Sequence, residues 1–215
     1  MKRLILLLLV MGIAASLFAQ VLPTHQFASG SWGLSGSRLY QNDANARLAK
    51  VNMQIPQSGP MQYPFNIRYE GGLEDGHGGF GIHIFVDNAF NGASWGAGRS
   101  YLLWLNYDER PIAGSGIPYG LSAQVYKSIS NSQMDLLGSF PLDEYTAYLV
   151  RSGILTQTIP INLMVNGNTG EVRLYDPTDP TGNFYFYFNL PQSDLPLRGN
   201  WISIRTNGLK ASFGQ

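Results

Sequence analysis

Two-residue alternation of apolar and polar side chains recurs along nearly the whole chain, and it limits the fold more than any other feature. Met61, Tyr63, Phe65, Ile67 and Tyr69 alternate with Gln62, Pro64, Asn66, Arg68 and Glu70. Phe80, Ile82, Ile84 and Val86 alternate with Gly81, His83, Phe85 and Asp87, and Tyr101, Leu103, Leu105 and Tyr107 oppose Leu102, Trp104 and Asn106. The pattern returns at Leu121, Ala123 and Val125, at Ile159, Ile161, Leu163 and Val165, and at Phe184, Phe186 and Phe188. A side chain every second residue on one face is the signature of a strand with one buried side. Residues 166–170 (NGNTG) and Asn207-Gly208 read as tight hairpin turns. The prolines of residues 176–182 exclude helix there. One short helix is predicted over residues 143–151, with Asp143 as its cap. About ten strands and one helix cannot build a parallel α/β sheet, so the pattern predicts an antiparallel sandwich or barrel.

Composition narrows the functional classes. Fourteen basic residues balance fourteen acidic ones, which leaves no broad basic surface for nucleic acid. The absence of cysteine removes disulfides, thiolate catalysis and cysteine-ligated zinc. Met1-Lys2-Arg3, the apolar run 4–12 and the small residues 14–19 form a basic region, a hydrophobic region and a cleavage signal. Residues 1–19 are therefore expected to be a secretory signal peptide, with residues 20–215 as a single domain. The apolar run is shorter than the ~20 residues a bilayer crossing needs, so no membrane span is expected after cleavage. The mature chain would be exported to the periplasm, the cell surface or the medium.

Three blocks carry a resemblance to a known family. Residues 27–41 (FASGSWGLSGSRLYQ) hold a tryptophan, a glycine turn and a leucine. Residues 63–87 run from an alternating strand through a glycine-rich loop into GGFGIHIFVD. Residues 199–213 form a closing pair of strands. In this order they resemble the concanavalin A-like lectin and glucanase superfamily, across nearly all of the mature chain. The resemblance implies an all-β, antiparallel two-sheet jelly-roll sandwich whose last strand pairs back beside the first.

The glucanases of that superfamily carry paired carboxylates on one strand, as Glu-x-Asp-x-x-Glu. No Glu-x-Asp occurs here. Glu70 and Glu74 have the spacing, but Gly71-Gly72 lie between them, so they flank a loop and no glucanase activity is carried over. Residues 92–96 fit G-x-S-x-G without the strand-to-helix context that motif needs. Residues 76–81 fit G-x-G-x-x-G but lead into a strand. His25, His77 and His83 are too scattered for a metal site. Calcium could draw on Asp75, Asp87 and Asn88 converging at one end of two strands, or on Asp176 and Asp179. These are also ordinary turn formers, and no cofactor or metal is assigned.

The aromatic residues remain. Phe85, Leu102, Trp104, Tyr126, Tyr185 and Tyr187 fall opposite the expected core face, so either both faces are covered or one sheet presents an aromatic-rich surface. Trp104 beside Asn106, and Tyr126 beside Gln124, would suit stacking on sugar rings with amides to fix hydroxyls. Trp104 and Trp201 could equally plug a core or an interface. Trp95 lies in a glycine-rich loop (GASWGAG) with no strand reason for a bulky ring, and is either a loop anchor or a ligand contact. The candidate ligand-binding residues are thus Trp104, Tyr126, Asn106, Gln124 and Trp95. The sequence favours a non-catalytic binding domain for glycans. The alternative is a structural envelope, sheath or coat protein whose partner is another envelope protein, and a glycosidase-like enzyme stands third.

Overall fold

The computed structural model describes residues 22–142, 158–175, 177 and 184–214, and of residues 184 and 185 the backbone only. The alternating runs become strands β1 (His25–Ser29), β2 (Trp32–Ser35), β3 (Arg38–Gln41), β4 (Ala49–Ser58), β5 (Pro60–Gly72), β6 (His77–Val86) and β7 (Ser100–Asp108). They continue as β8 (Gly120–Ser128), β9 (Met134–Pro141), β10 (Ile159–Asn166), β11 (Glu171–Tyr175), β12 (Phe184–Asn189), β13 (Arg198–Asn207) and β14 (Leu209–Gly214). The only helical element among the described residues is a 3-10 turn, Gln192–Asp194. The helix expected at 143–151, the signal peptide expected at 1–19 and all of the 176–182 loop except Pro177 lie outside the described residues.

The strands form two seven-stranded sheets, in the order β1-β4-β13-β6-β7-β8-β9 (sheet A) and β12-β11-β10-β5-β14-β3-β2 (sheet B). Every described pairing is antiparallel. The fold is the all-β two-sheet sandwich that the alternation predicts. Residues 166–170 close the β10–β11 hairpin. Asn207-Gly208 does something else. It carries the chain from β13 in sheet A to β14 in sheet B, so the expected hairpin is a crossover between sheets. The turn packs so closely that a Cβ on Gly208, at φ +67°, would stand 2.7 Å from the His77 carbonyl oxygen.

The core lies between the sheets. Ile82 and Ile84 of β6, Val51 of β4 and Val125 of β8 meet Leu163 of β10 and Val172 of β11. Each such side chain contributes roughly 1.5–3 kcal/mol on leaving water. The lateral edges are closed by aromatic contacts. Phe140 of β9 packs edge-on against Phe186 and Phe188 of β12, at 5.6 and 6.0 Å between centroids. At the other side, Trp32 Nε1 donates to Ser29 O at 2.8 Å and ties β2 to β1.

One aromatic position departs from the alternation, and another falls on the other sheet. Phe85 belongs to the core cluster together with Ile84, because its φ of +57° turns the strand by an extra step. Its amide is held by the buried Gln57, whose Oε1 accepts from Phe85 N at 3.0 Å. Tyr187 is exposed, but on sheet B, beside Arg173. It does not share a face with Trp104 and Tyr126.

Candidate functional site: the outer face of sheet A

Strand register places the polar positions of sheet A in rows that run across its outer face. One row reads Lys50, Arg205, Gly81, Trp104, Gln124 and Ser139, from β4 to β9. The next reads Asn52, Ser203, His83, Leu102, Tyr126 and Leu136. A third includes Gly79, Asn106 and Ser122. The sheet thus gathers Trp104, Asn106, Gln124 and Tyr126 on one surface. Trp95 joins them from the connection between β6 and β7, residues 87–99, which folds over this face.

Side chains of the sheet hold that connection down. Lys50, fully buried, points its Nζ at Ser94 Oγ (2.6 Å), Gly96 O (2.6 Å) and Ser94 O (3.2 Å). An ammonium has three donors and no acceptor, and here each donor meets an oxygen. Asn52 Nδ2 donates to Phe90 O at 3.1 Å, and Ala97 N donates to Ser128 Oγ at 3.1 Å. Lys50 and Ser94 have the spacing of a serine–lysine pair. Yet Ser94 Oγ itself donates to Gly96 O at 2.8 Å, so the group acts as a latch on the loop.

Trp95 is the residue this latch presents. It is 56% exposed, whereas Trp104 is 8% exposed. Between them lies the Arg205 guanidinium, with its carbon 5.2 Å from the Trp95 ring and 5.1 Å from the Trp104 ring. Arg205 Nη1 also donates to Trp95 O at 2.5 Å. Cation–π contacts of this kind contribute about 0.5–2 kcal/mol each, more when desolvated. Trp104 forms the base of the stack. Its indole lies against the backbone of β6, where a Cβ on Gly79 or Gly81 would come within 2.7 or 2.9 Å of the ring. The alternating glycines of GGFG are the reason a large ring can lie flat there. Trp104 Nε1 donates to Asn106 Oδ1 at 3.1 Å. Tyr126, half-buried, donates through its hydroxyl to Gln124 Oε1 at 2.7 Å, and Gln124 Nε2 donates to Ser122 Oγ. Burial removes Trp104, Asn106 and Gln124 from direct reach, so Trp95 and Tyr126 are the candidate residues nearest solvent.

The electrostatics are lopsided. Burial, with the Arg205 charge adding to it, pushes Lys50 down to about 7. Burial pushes Arg205 down to about 10. Burial, then the charges of Lys50 and Arg205, hold the fully buried His83 well below the usual imidazole range, so it is neutral at pH 7. Sequence reasoning missed Lys50 and Arg205 and weighed His83 only as a metal ligand, because polar positions of a half-buried strand read as solvent-facing. The signal available was two cations and a histidine on alternating positions of strands with few other charges.

A cleft of about 520 Å³ opens at the adjoining end of sheet A, between Phe85, Arg99, Tyr101, Lys127, Asp194 and Arg198. Lys127 Nζ stands 2.6 Å from Asp194 Oδ2, which also accepts from the Tyr101 hydroxyl. These two donors, Lys127 first, hold the Asp194 carboxyl below its ordinary range. The first calcium cluster considered from sequence does not assemble. Asp75 precedes β6 and Asp87 follows it, and a ten-residue strand separates its ends by about 30 Å. Asp75 pairs with Arg47, and Asp87 Oδ1 accepts from Asn88 N and Arg99 N. Asp176 and Asp179 lie outside the described residues.

No family model matches the sequence, and no curated protein matches it. Solved structures do match the fold. The legume lectin-like domain from Entamoeba histolytica aligns over 89% of this chain and 86% of its own, with TM-score 0.53 and 11% identity. The metal-free carbohydrate recognition domain of Emp46p aligns over 89% and 84%, with TM-score 0.52 and 13% identity. The chain shares the two-sheet fold of these domains.

Proposed function

We propose that this chain is an exported, non-catalytic glycan-binding domain, and that a sugar ring stacks on Trp95 at the outer face of sheet A. The observation that carries this reading is an indole 56% exposed on a loop fixed by three bonds from one buried lysine. A ring held rigidly before the ligand arrives loses little entropy on binding. Tyr126, half-buried, supplies a hydroxyl at the edge of this surface. Trp104, Asn106 and Gln124 act from below, holding Arg205 and Tyr126 in place. The matched structures support the reading through what they are called, a carbohydrate recognition domain and a legume lectin-like domain.

Trp95→Ala is expected to weaken glycan binding by on the order of 2 kcal/mol, about thirtyfold, with little change in thermal unfolding. A glycan array followed by calorimetry on the variant checks it. An unchanged affinity would remove Trp95 from the site. Export has its own readout. N-terminal sequencing of the protein recovered outside the cytoplasm should begin at Gln20, and a chain still starting at Met1 would contradict the leader reading.

A further inference from the structure

The three rows around Trp104 on the outer face of sheet A carry cations without anions, and Asp108 lies one row further along β7. Arg205 is 3% exposed and Lys50 is fully buried, and the register pairs them directly. None of the positions that form these three rows is an aspartate or glutamate. No ion pair of either cation with a carboxylate occurs among the described residues. Burying such charges unpaired costs several kcal/mol each. The hydrogen bonding is one-sided as well. Arg205 Nε and Asn106 Nδ2 are buried donors with no acceptor among the described residues, and His83 Nε2 is also without a partner. These donors are buried out of a ligand's reach, so what the face can offer a ligand is its uncompensated positive charge.

Building on the glycan reading, we propose that the ligand is an anionic saccharide, one whose rings carry carboxylate or sulfate groups, selected by Arg205 and Lys50 behind Trp95. Arg205 covers one face of the Trp95 ring at 5.2 Å. A sugar stacked on the free face lies another ~4.5 Å or more away, so its acidic group sits about one Debye length from the guanidinium. The path between them runs through an aromatic ring and not through salt solution, so the attraction is only partly screened. A neutral sugar gains the stacking alone.

The test compares one sugar backbone with and without its charge. Oligogalacturonate and its methyl ester are titrated against the full mature protein near pH 6, where Lys50, at about 7, keeps its proton. A sulfated oligosaccharide forms a third arm. The acid is expected to bind roughly five- to tenfold tighter than the ester, and the ratio should shrink as salt rises from about 20 to 300 mM. A sulfated arm as tight as the acid supports selection by charge across the ring, and one no tighter than the ester overturns the proposal. Trp95→Ala should weaken acid and ester together. The exposed cleft pair Arg99→Gln/Arg198→Gln should leave the ratio unchanged, and loss of the ratio in that variant would place the anion in the cleft and overturn the proposal. Equal binding of acid and ester overturns it too, while leaving the glycan reading intact. Failure of every saccharide to bind sinks both.

Discussion

Replacing Trp104 with alanine is expected to lower the free energy of unfolding by about 3–5 kcal/mol, measured by urea denaturation. The side chain is 8% exposed, and its removal empties the space above Gly79 and Gly81. Arg205 loses one of its two rings, and Asn106 Oδ1 loses the indole donor. A buried guanidinium deprived of half its shelter adds to the cavity term. Trp104→Phe keeps the ring over the glycine floor but lacks the N–H, so it should recover much of the loss. The floor can be tested from the other side. A Cβ on Gly81 would stand 2.1 Å from Leu103 O and 2.9 Å from the Trp104 ring, so Gly81→Ala must displace either the paired strand or the indole. A loss below about 1 kcal/mol for Trp104→Ala would show that the indole is not the base of the stack.

That packing explains which parts of the structure the sequence revealed. The sheet faces were legible because a strand with one side in the core must alternate, and Ile82, Ile84, Leu163 and Val165 do so and are buried. The hairpin at 166–170 was legible because its residues favour left-handed turns. Asn207-Gly208 has the same local chemistry, yet it joins two sheets. A turn motif fixes the bend of the backbone and not the partner of the next strand. Phe85 broke the alternation through a positive φ held by Gln57, a contact 28 residues away that no local pattern encodes. Trp104 and Tyr126 lie on the face of sheet A opposite the core. Their burial was not readable, because it depends on the 87–99 connection lying across them. That connection is latched by Lys50 and Arg205, which look like surface charges in a strand read alone.

Buried Lys50 makes the protein's stability depend on pH in an uncommon direction. Lys50 titrates near 7 when folded and at about 10.4 when unfolded. Below 7 both states hold the proton, and the cost of the buried ammonium is paid in full. Between about 7 and 10 the unfolded chain keeps a proton that the folded one has released, so stability rises with pH, by about 3–5 kcal/mol over the window. His83, held well below its ordinary value, contributes a rise of the same sign on the acid side, ending near its unfolded value of about 6.5. Above about 10 the direction reverses. Burial pushes the Tyr63 and Tyr101 hydroxyls up, so the folded chain retains protons that the unfolded one gives up, and these two groups outweigh Arg205, which is lowered to about 10 and acts in the opposite sense. Maximum stability is therefore expected near pH 9–10, above the usual range of about 5–8. Urea unfolding between pH 6 and pH 10 checks it, and Lys50→Met should flatten the rise above 7. A wild-type curve that is flat there, or one parallel to the variant's, would remove Lys50 from the account. Ligand affinity should move the other way. A neutral amine has two N–H donors for the three oxygens that Lys50 now serves, so the loop beneath Trp95 loosens as the fold as a whole gains stability.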